Sequence, residues 1–469
     1  MPPKRTLTAW MIAMINLAAI CNIKNFPLMA EYGLSTLFFL TLTSIFFFIP
    51  VSFVSAELAT GWPERGVYTW VKEGLGLRLG FVAVWLQWIE NVIWYPTILS
   101  FIAATFAYTF MPELAQNKLY VVGIVLTAFW STTLINFLGM RTSGWISSIS
   151  ALFGTILPIV FIILLGLAWV MKKEPFQIEF SWSAFFPNLT SIHQLALLSG
   201  FLMSFSGMEM SAVHAKDVKN PKVDYPRAIL LSAILIIVLS AFGSILIAIV
   251  VPFDKIELTS GGMEAFTYLS NAFHMGWAIP IIAGIMTFGA LGMMSTWIVG
   301  PSRSLYASAL DGDLPRFMRK TNKHGMPVAI LLAQAIVVSV LSLVFLSMPT
   351  VGSSYWILLA LAASLYMVMY ILLFIAAIRL RYTQPDVFRH YRVPGGMIGM
   401  WITAGLGILG SAFAIVISFF PPSQIPTGSL FLYEAILAGG LVLFCGLPFL
   451  FYKFREPQPK AGSIDPNRP

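Results

Sequence analysis

The sequence predicts an all-α, polytopic membrane protein with twelve transmembrane helices. Three observations carry that prediction. Charged residues make up 10% of the 469 residues and hydrophobic ones 58%, against roughly 25% charged in a soluble domain. Mean hydropathy is +0.83, with the apolar residues spread over the whole chain rather than gathered in one core. Apolar stretches of about 20 residues recur, each long enough to cross a hydrocarbon layer of about 30 Å as a helix.

The first stretch, residues 9–30, carries Asn16, Asn22, Lys24 and Asn25 before Pro27 and Glu31. Residues 34–59 and 79–110 are the second and third. The third presents Gln87, Asn91 and Trp94 at i, i+4 and i+7, one helical stripe with Glu90 beside it. Residues 119–138 and 145–171 complete a block of five. The sixth stretch, 192–215, is broken by Ser204, Ser206, Gly207 and Glu209. Residues 228–252, 276–308, 326–348 and 354–378 follow, and 397–420 and 430–452 close the series. The expected division is a tail over 1–8, a five-helix repeat over 9–171, a second, inverted repeat over 192–380, two further helices over 397–452, and a tail over 453–469.

Orientation follows from charge. With the N-terminus in the cytoplasm, 23 of the 28 Lys and Arg fall on the inner side; Lys118, Lys172, Lys173 and Lys255 fall outside and Lys24 within the membrane. This positive-inside asymmetry places both termini in the cytoplasm of a multi-pass protein of the cell (inner) membrane. It also accounts for the net charge of +8 without a nucleic-acid partner. The two cysteines, Cys21 and Cys445, and the five histidines show no metal or redox spacing. No metal, cofactor or enzymatic activity is therefore expected. No charge ring or repeated filter loop argues for a channel, and no soluble domain for a receptor.

The polar breaks in stretches one and six are the informative feature. They occupy the start of successive five-helix blocks, the pattern of an inverted-repeat transporter with its site at the midplane. Unwound backbone in a membrane must line a cavity, because lipid satisfies no free N–H or C=O. Amides freed at a half-helix N-terminus suit a carboxylate and freed carbonyls suit an ammonium. Either break alone reads better as a helix-packing contact; their five-span spacing tips the balance to an amino acid receptor.

Three stretches then resemble a known family. Residues 56–76 (AELATGWPERGVYTWVKEGLG) resemble the loop between spans 2 and 3 of the amino acid–polyamine–organocation superfamily. Residues 205–228, with Phe205-Ser206-Gly207-Met208-Glu209, Asn220-Pro221 and Pro226-Arg227-Ala228, resemble its span 6 and following loop. Trp297-Ile298-Val299-Gly300-Pro301-Ser302-Arg303, with Asp311-Gly312 and Leu314-Pro315, most resemble its bacterial glutamate/γ-aminobutyrate antiporter group. The resemblance implies a LeuT-like fold of five plus five inverted helices with two extra, helices 1 and 6 broken, and transport by alternating access. Many members have a Gly-small-Gly break in span 1, where this chain has Ile20-Cys21-Asn22; the antiporter group resembled here lacks those glycines too.

The resemblance also implies roles. Glu209 matches the span 6 glutamate that, in related exchangers, senses protonation and couples substrate exit to gate opening. Asn91 and Trp297 match substrate contacts of the similar arginine/agmatine antiporter, and Met203 stands where that relative has a gating tryptophan. The expected substrate contacts are Ile20, Cys21, Asn22, Lys24, Gln87, Asn91, Met203, Ser206, Gly207, Trp297 and Tyr366, with Glu209 and Glu90 sensing protons or gating. Lys24 has three readings: a pair with Glu90, a pair with Glu31, or a contact to an acidic substrate. Lys24 argues for an acidic or neutral amino acid, and Glu90 for a cationic one. Span 5 has no lysine in place of a sodium ion, the mark of proton-coupled symporters in the superfamily. Amino acid exchange, glutamate/γ-aminobutyrate-like or neutral, is thus the leading expectation and proton-coupled symport the runner-up. The expected partners are a small amino acid and membrane lipid, with a homodimer left open.

Overall fold

The computed structural model describes residues 8–63, 66–139, 152–187, 190, 192–210, 218, 220 and 223–455. Among these, nine helices are long and apolar enough to cross a membrane: Gly33–Gly61, Leu77–Ala107, Lys118–Asn136, Asp224–Val250, Gly276–Leu310, Val328–Ser347, Val351–Thr383, Gly396–Ser418 and Leu430–Lys453. They coincide with nine of the twelve predicted stretches. The other three are not continuous described helices. Of stretch five, residues 145–151 lie outside the described residues, 152–156 form a π-turn, and Leu157–Met171 is a shorter apolar helix. Stretches one and six are broken, and residues 211–215 of the latter lie outside the described residues.

Burial ranks the helices. Leu77–Ala107 and Val351–Thr383 pack against one another, with 89% and 83% of their apolar windows buried, whereas Leu430–Lys453 has 11%. The first two form the centre and the last lies at the rim, where its exposed face suits lipid.

The first break follows from local chemistry. Helix Ala9–Ile20 ends at Cys21, and Asn22 takes an extended conformation while its side chain accepts the Lys24 N–H at 3.0 Å. Asparagine is a strong helix N-cap. A short 3-10 turn leads into helix Phe26–Ala30, with Pro27 in its first turn, where the missing N–H costs nothing. In the sixth stretch helix Leu198–Ser204 stops at Phe205, and Gly207 follows at φ +109°. Only glycine enters that region freely. A methyl group on Gly207 would also lie 3.3 Å from the Trp297 ring and 3.7 Å from Ile20. The two breaks therefore meet.

Candidate substrate cavity

A cavity of about 50 Å³ lies between the breaks. A single water needs roughly 10–15 Å³ by the same measure, so the hollow holds several. Ile20, Asn22, Lys24 and Asn25 line it from the first break, and Met203, Ser204 and Ser206 from the sixth stretch. Helix Leu77–Ala107 contributes Glu90, Asn91 and Trp94. Met293 and Trp297 come from helix Ile279–Leu310, and Leu359 and Tyr366 from Val351–Thr383.

Nine of the thirteen expected site residues thus come together here: Ile20, Asn22, Lys24, Glu90, Asn91, Met203, Ser206, Trp297 and Tyr366. Met293 and Leu359 carry no polar signal, but helical spacing marks them: Met293 sits four residues before Trp297 and Leu359 seven before Tyr366, on the same faces. Trp94 belongs to the Gln87-Asn91 stripe, and its ring centre lies 5.8 Å from that of Trp297.

Three expected contacts, and the expected proton sensor Glu209, lie outside the lining. Cys21 turns to Ser240 instead. Gln87 donates to Glu209 at 3.4 Å and to the Met210 sulfur at 3.2 Å. The Gly207 amide, freed by the break, donates to the Tyr370 hydroxyl at 2.8 Å. It is therefore already satisfied, and the sixth stretch does not offer it to a ligand. Glu209 is enclosed: Tyr366 donates to Oε1 and Tyr370 to Oε2, the latter at 2.5 Å. Tyr370 was invisible to the sequence reading, although it sits one helical turn after Tyr366.

The two charges inside the cavity are treated differently. Lys24, 1% exposed, pairs with neither Glu90 nor Glu31. Its ammonium donates to Thr97 Oγ1 at 3.3 Å and lies 4.9 Å from the Trp94 ring centre and 5.2 Å from that of Tyr355. Cation–π contact offsets only part of the cost of such a buried ammonium. Glu90 accepts from the Asn91 amide through Oε1, while its Oε2 is buried without a hydrogen-bond partner.

Long apolar helices, with two broken ones around a small, charged hollow, define a multi-pass membrane protein. The chain belongs to the amino acid permease family, whose pattern matches residues 6–441, within the amino acid–polyamine–organocation superfamily. It is 43% identical over 456 residues to an uncharacterised transporter of Legionella pneumophila, covering 97% of this chain and 98% of the relative. It is 33% identical over 448 residues to a glutamate/γ-aminobutyrate antiporter of Lactococcus lactis, covering 93% and 88%. A probable agmatine/putrescine antiporter of the same species is 24% identical over 368 residues, 78% of each chain. These matched relatives are transporters.

Proposed function

We propose that the protein is a secondary active amino acid exchanger working by alternating access. The observation that carries this reading is the meeting of two broken helices at a cavity whose ammonium, Lys24, has no carboxylate partner among the described residues. The family membership and the glutamate/γ-aminobutyrate antiporter relative support amino acid exchange of that kind. In this reading the chain spans the membrane twelve times as two inverted five-helix repeats plus two helices, with both termini cytoplasmic. The lining residues contact substrate. Glu209, clasped by Tyr366 and Tyr370 and linked through Tyr370 to the Gly207 amide, reports its protonation to the second break.

Counterflow tests this. Purified protein in proteoliposomes is expected to take up labelled glutamate only when the lumen holds an amino acid, with or without a proton gradient. Uptake into empty vesicles that follows an imposed proton gradient would establish symport instead.

A further inference from the structure

A second hollow faces the membrane rather than the interior. It measures about 450 Å³, against about 50 Å³ for the substrate cavity. Phe153 of the π-turn Leu152–Ile156 lines one side, and Ile281, Gly284, Ile285 and Phe288 of helix Ile279–Leu310 line the other. The helix residues recur every three or four positions and so share one face. Gly284 notches that face, and Phe288, 74% exposed, turns it toward lipid. Every side chain in the lining is apolar.

A glycine contact sets the shape. The π-turn packs against Ile279–Leu310, where a methyl group on Gly154 would strike the Gly289 backbone. Beyond that contact the segments part, and Leu157–Met171 packs mainly against Asp224–Val250 and helix Gly261–Ala272. The result is a wedge, closed at Gly289 and open toward the start of Ile279–Leu310. The rise from Pro280 to Gly289 is about 13 Å. One leaflet's hydrocarbon is about 15 Å deep, half of a core of about 30 Å. The open end carries charge. The Lys172 ammonium lies 4.3 Å from the ring centre of Phe273, which precedes the spanning helix Gly276–Leu310 by three residues. Lys173 adjoins it, and Glu174 offsets one of the two cations. Trp277, exposed in the first turn of the same span, is of the type that sits at headgroup level.

We propose that this wedge is a lipid-binding site that takes one acyl chain of an anionic phospholipid, with the phosphate held at Lys172 and Lys173. The inference goes beyond the exchanger reading and does not depend on it. A dry, apolar wedge one leaflet deep rejects an ionised solute and matches an acyl chain in both chemistry and length. The cationic mouth selects the headgroup. The bound chain fills the space between the π-turn segment and the helix that carries Met293 and Trp297 of the substrate cavity, four and eight residues beyond Gly289. The site thus sits beside the cavity wall without opening into it.

Photocrosslinking reads the site without transport. The purified full chain in mixed micelles is exposed to phosphatidylglycerol carrying a photoactivatable acyl chain, or to its phosphatidylcholine equivalent, and adducts are located by peptide mass spectrometry. Adducts on residues 280–289 should clearly exceed those on the rim helix Leu430–Lys453, which is the built-in measure of ordinary solvating lipid. Phosphatidylglycerol should label residues 280–289 about fivefold more than phosphatidylcholine, the equivalent of about 1 kcal/mol for one lysine near an anionic lipid. Gly284→Leu fills the notch. A Cβ there meets nothing closer than the Thr109 methyl at 4.0 Å, and leucine is the better helix former. Labelling of residues 280–289 in that variant should fall to the rim level. Wild-type labelling spread evenly over the exposed helices would overturn the site, and that result needs no variant to fold. Equal labelling by the two headgroups, or undiminished labelling in Gly284→Leu, would overturn it as well.

Discussion

Charges at the helix ends and charges in the cavity follow opposite rules. At the helix ends they are paired with opposite charges. Glu57, 1% exposed, receives Arg381 through Nε at 2.8 Å and Nη2 at 2.6 Å, and the Val393 N–H at 2.7 Å. Arg389 adds a longer contact at 3.6 Å. Asp313, fully buried, accepts from Ser308 at 2.8 Å and Tyr68 at 3.1 Å, and pairs with Arg455 at 3.0 Å. In the cavity, Lys24 and Glu90 are as deeply buried, and among the described residues neither is paired with an opposite charge. A buried charge is tolerable when paired and hydrogen-bonded and costly otherwise. The helix-end charges join segments of the chain to each other; in the exchanger reading proposed above, those of the cavity await a ligand.

The largest effect that would break this contrast is at Glu57. Glu57→Gln leaves Arg381 and Arg389 buried without their carboxylate, and loss of one partner from a buried pair costs about 3–5 kcal/mol. Denaturant unfolding in detergent should show a loss of that size, and a loss below about 1 kcal/mol would place Glu57 among exposed, weakly worth pairs. Next comes Tyr370→Phe, which removes the acceptor for the Gly207 amide and a donor to Glu209. We expect about 1–3 kcal/mol of destabilisation, with faster hydrogen exchange at residues 205–209. Unchanged exchange there would mean that the second break holds itself together as the first does.

The smallest effect is a pH dependence at Glu264, in the short helix Gly261–Ala272 outside the spanning segments. Burial pushes its carboxyl up to about 7 from 4.5; the Ser260 hydrogen bond opposes the shift and the nearby Glu257 charge adds to it. The folded state therefore favours the protonated form. That contribution is fully present below 4.5 and is lost as pH rises through about 7. The melting temperature should fall from pH 5 to pH 8 in the wild type and fall less in Glu264→Gln. Equal slopes would show that Glu264 is solvated like an ordinary surface acid.

The two breaks also mark what could be read from sequence. The first is local: Asn22 caps its own following turn and Pro27 opens the next helix, both visible within six residues. The second was visible only as Ser206-Gly207. Its stabilising partner, Tyr370, is 163 residues from Gly207 along the chain, and no periodicity reports a hydrogen bond made after folding. The same limit hid Thr97 as the anchor of Lys24, 73 residues away, and left the lysine between three readings. Glu209 was legible as a costly mid-helix carboxylate, but not its enclosure behind Tyr366. Apolar walls such as Met293 and Leu359 are recoverable only once a neighbour on the same helical face is placed in the cavity.

The most direct test is a paired measurement on Lys24→Met, following labelled glutamate binding and melting temperature in detergent. If the ammonium awaits a ligand, binding weakens by at least about thirtyfold, the lower end of the 2–5 kcal/mol cost of losing one partner of a buried charge pair. The melting temperature of the empty protein should then hold or rise, because a buried charge without a counter-ion has been removed. Intact binding, or binding lost together with a lower melting temperature, would make Lys24 a structural residue and contradict the account.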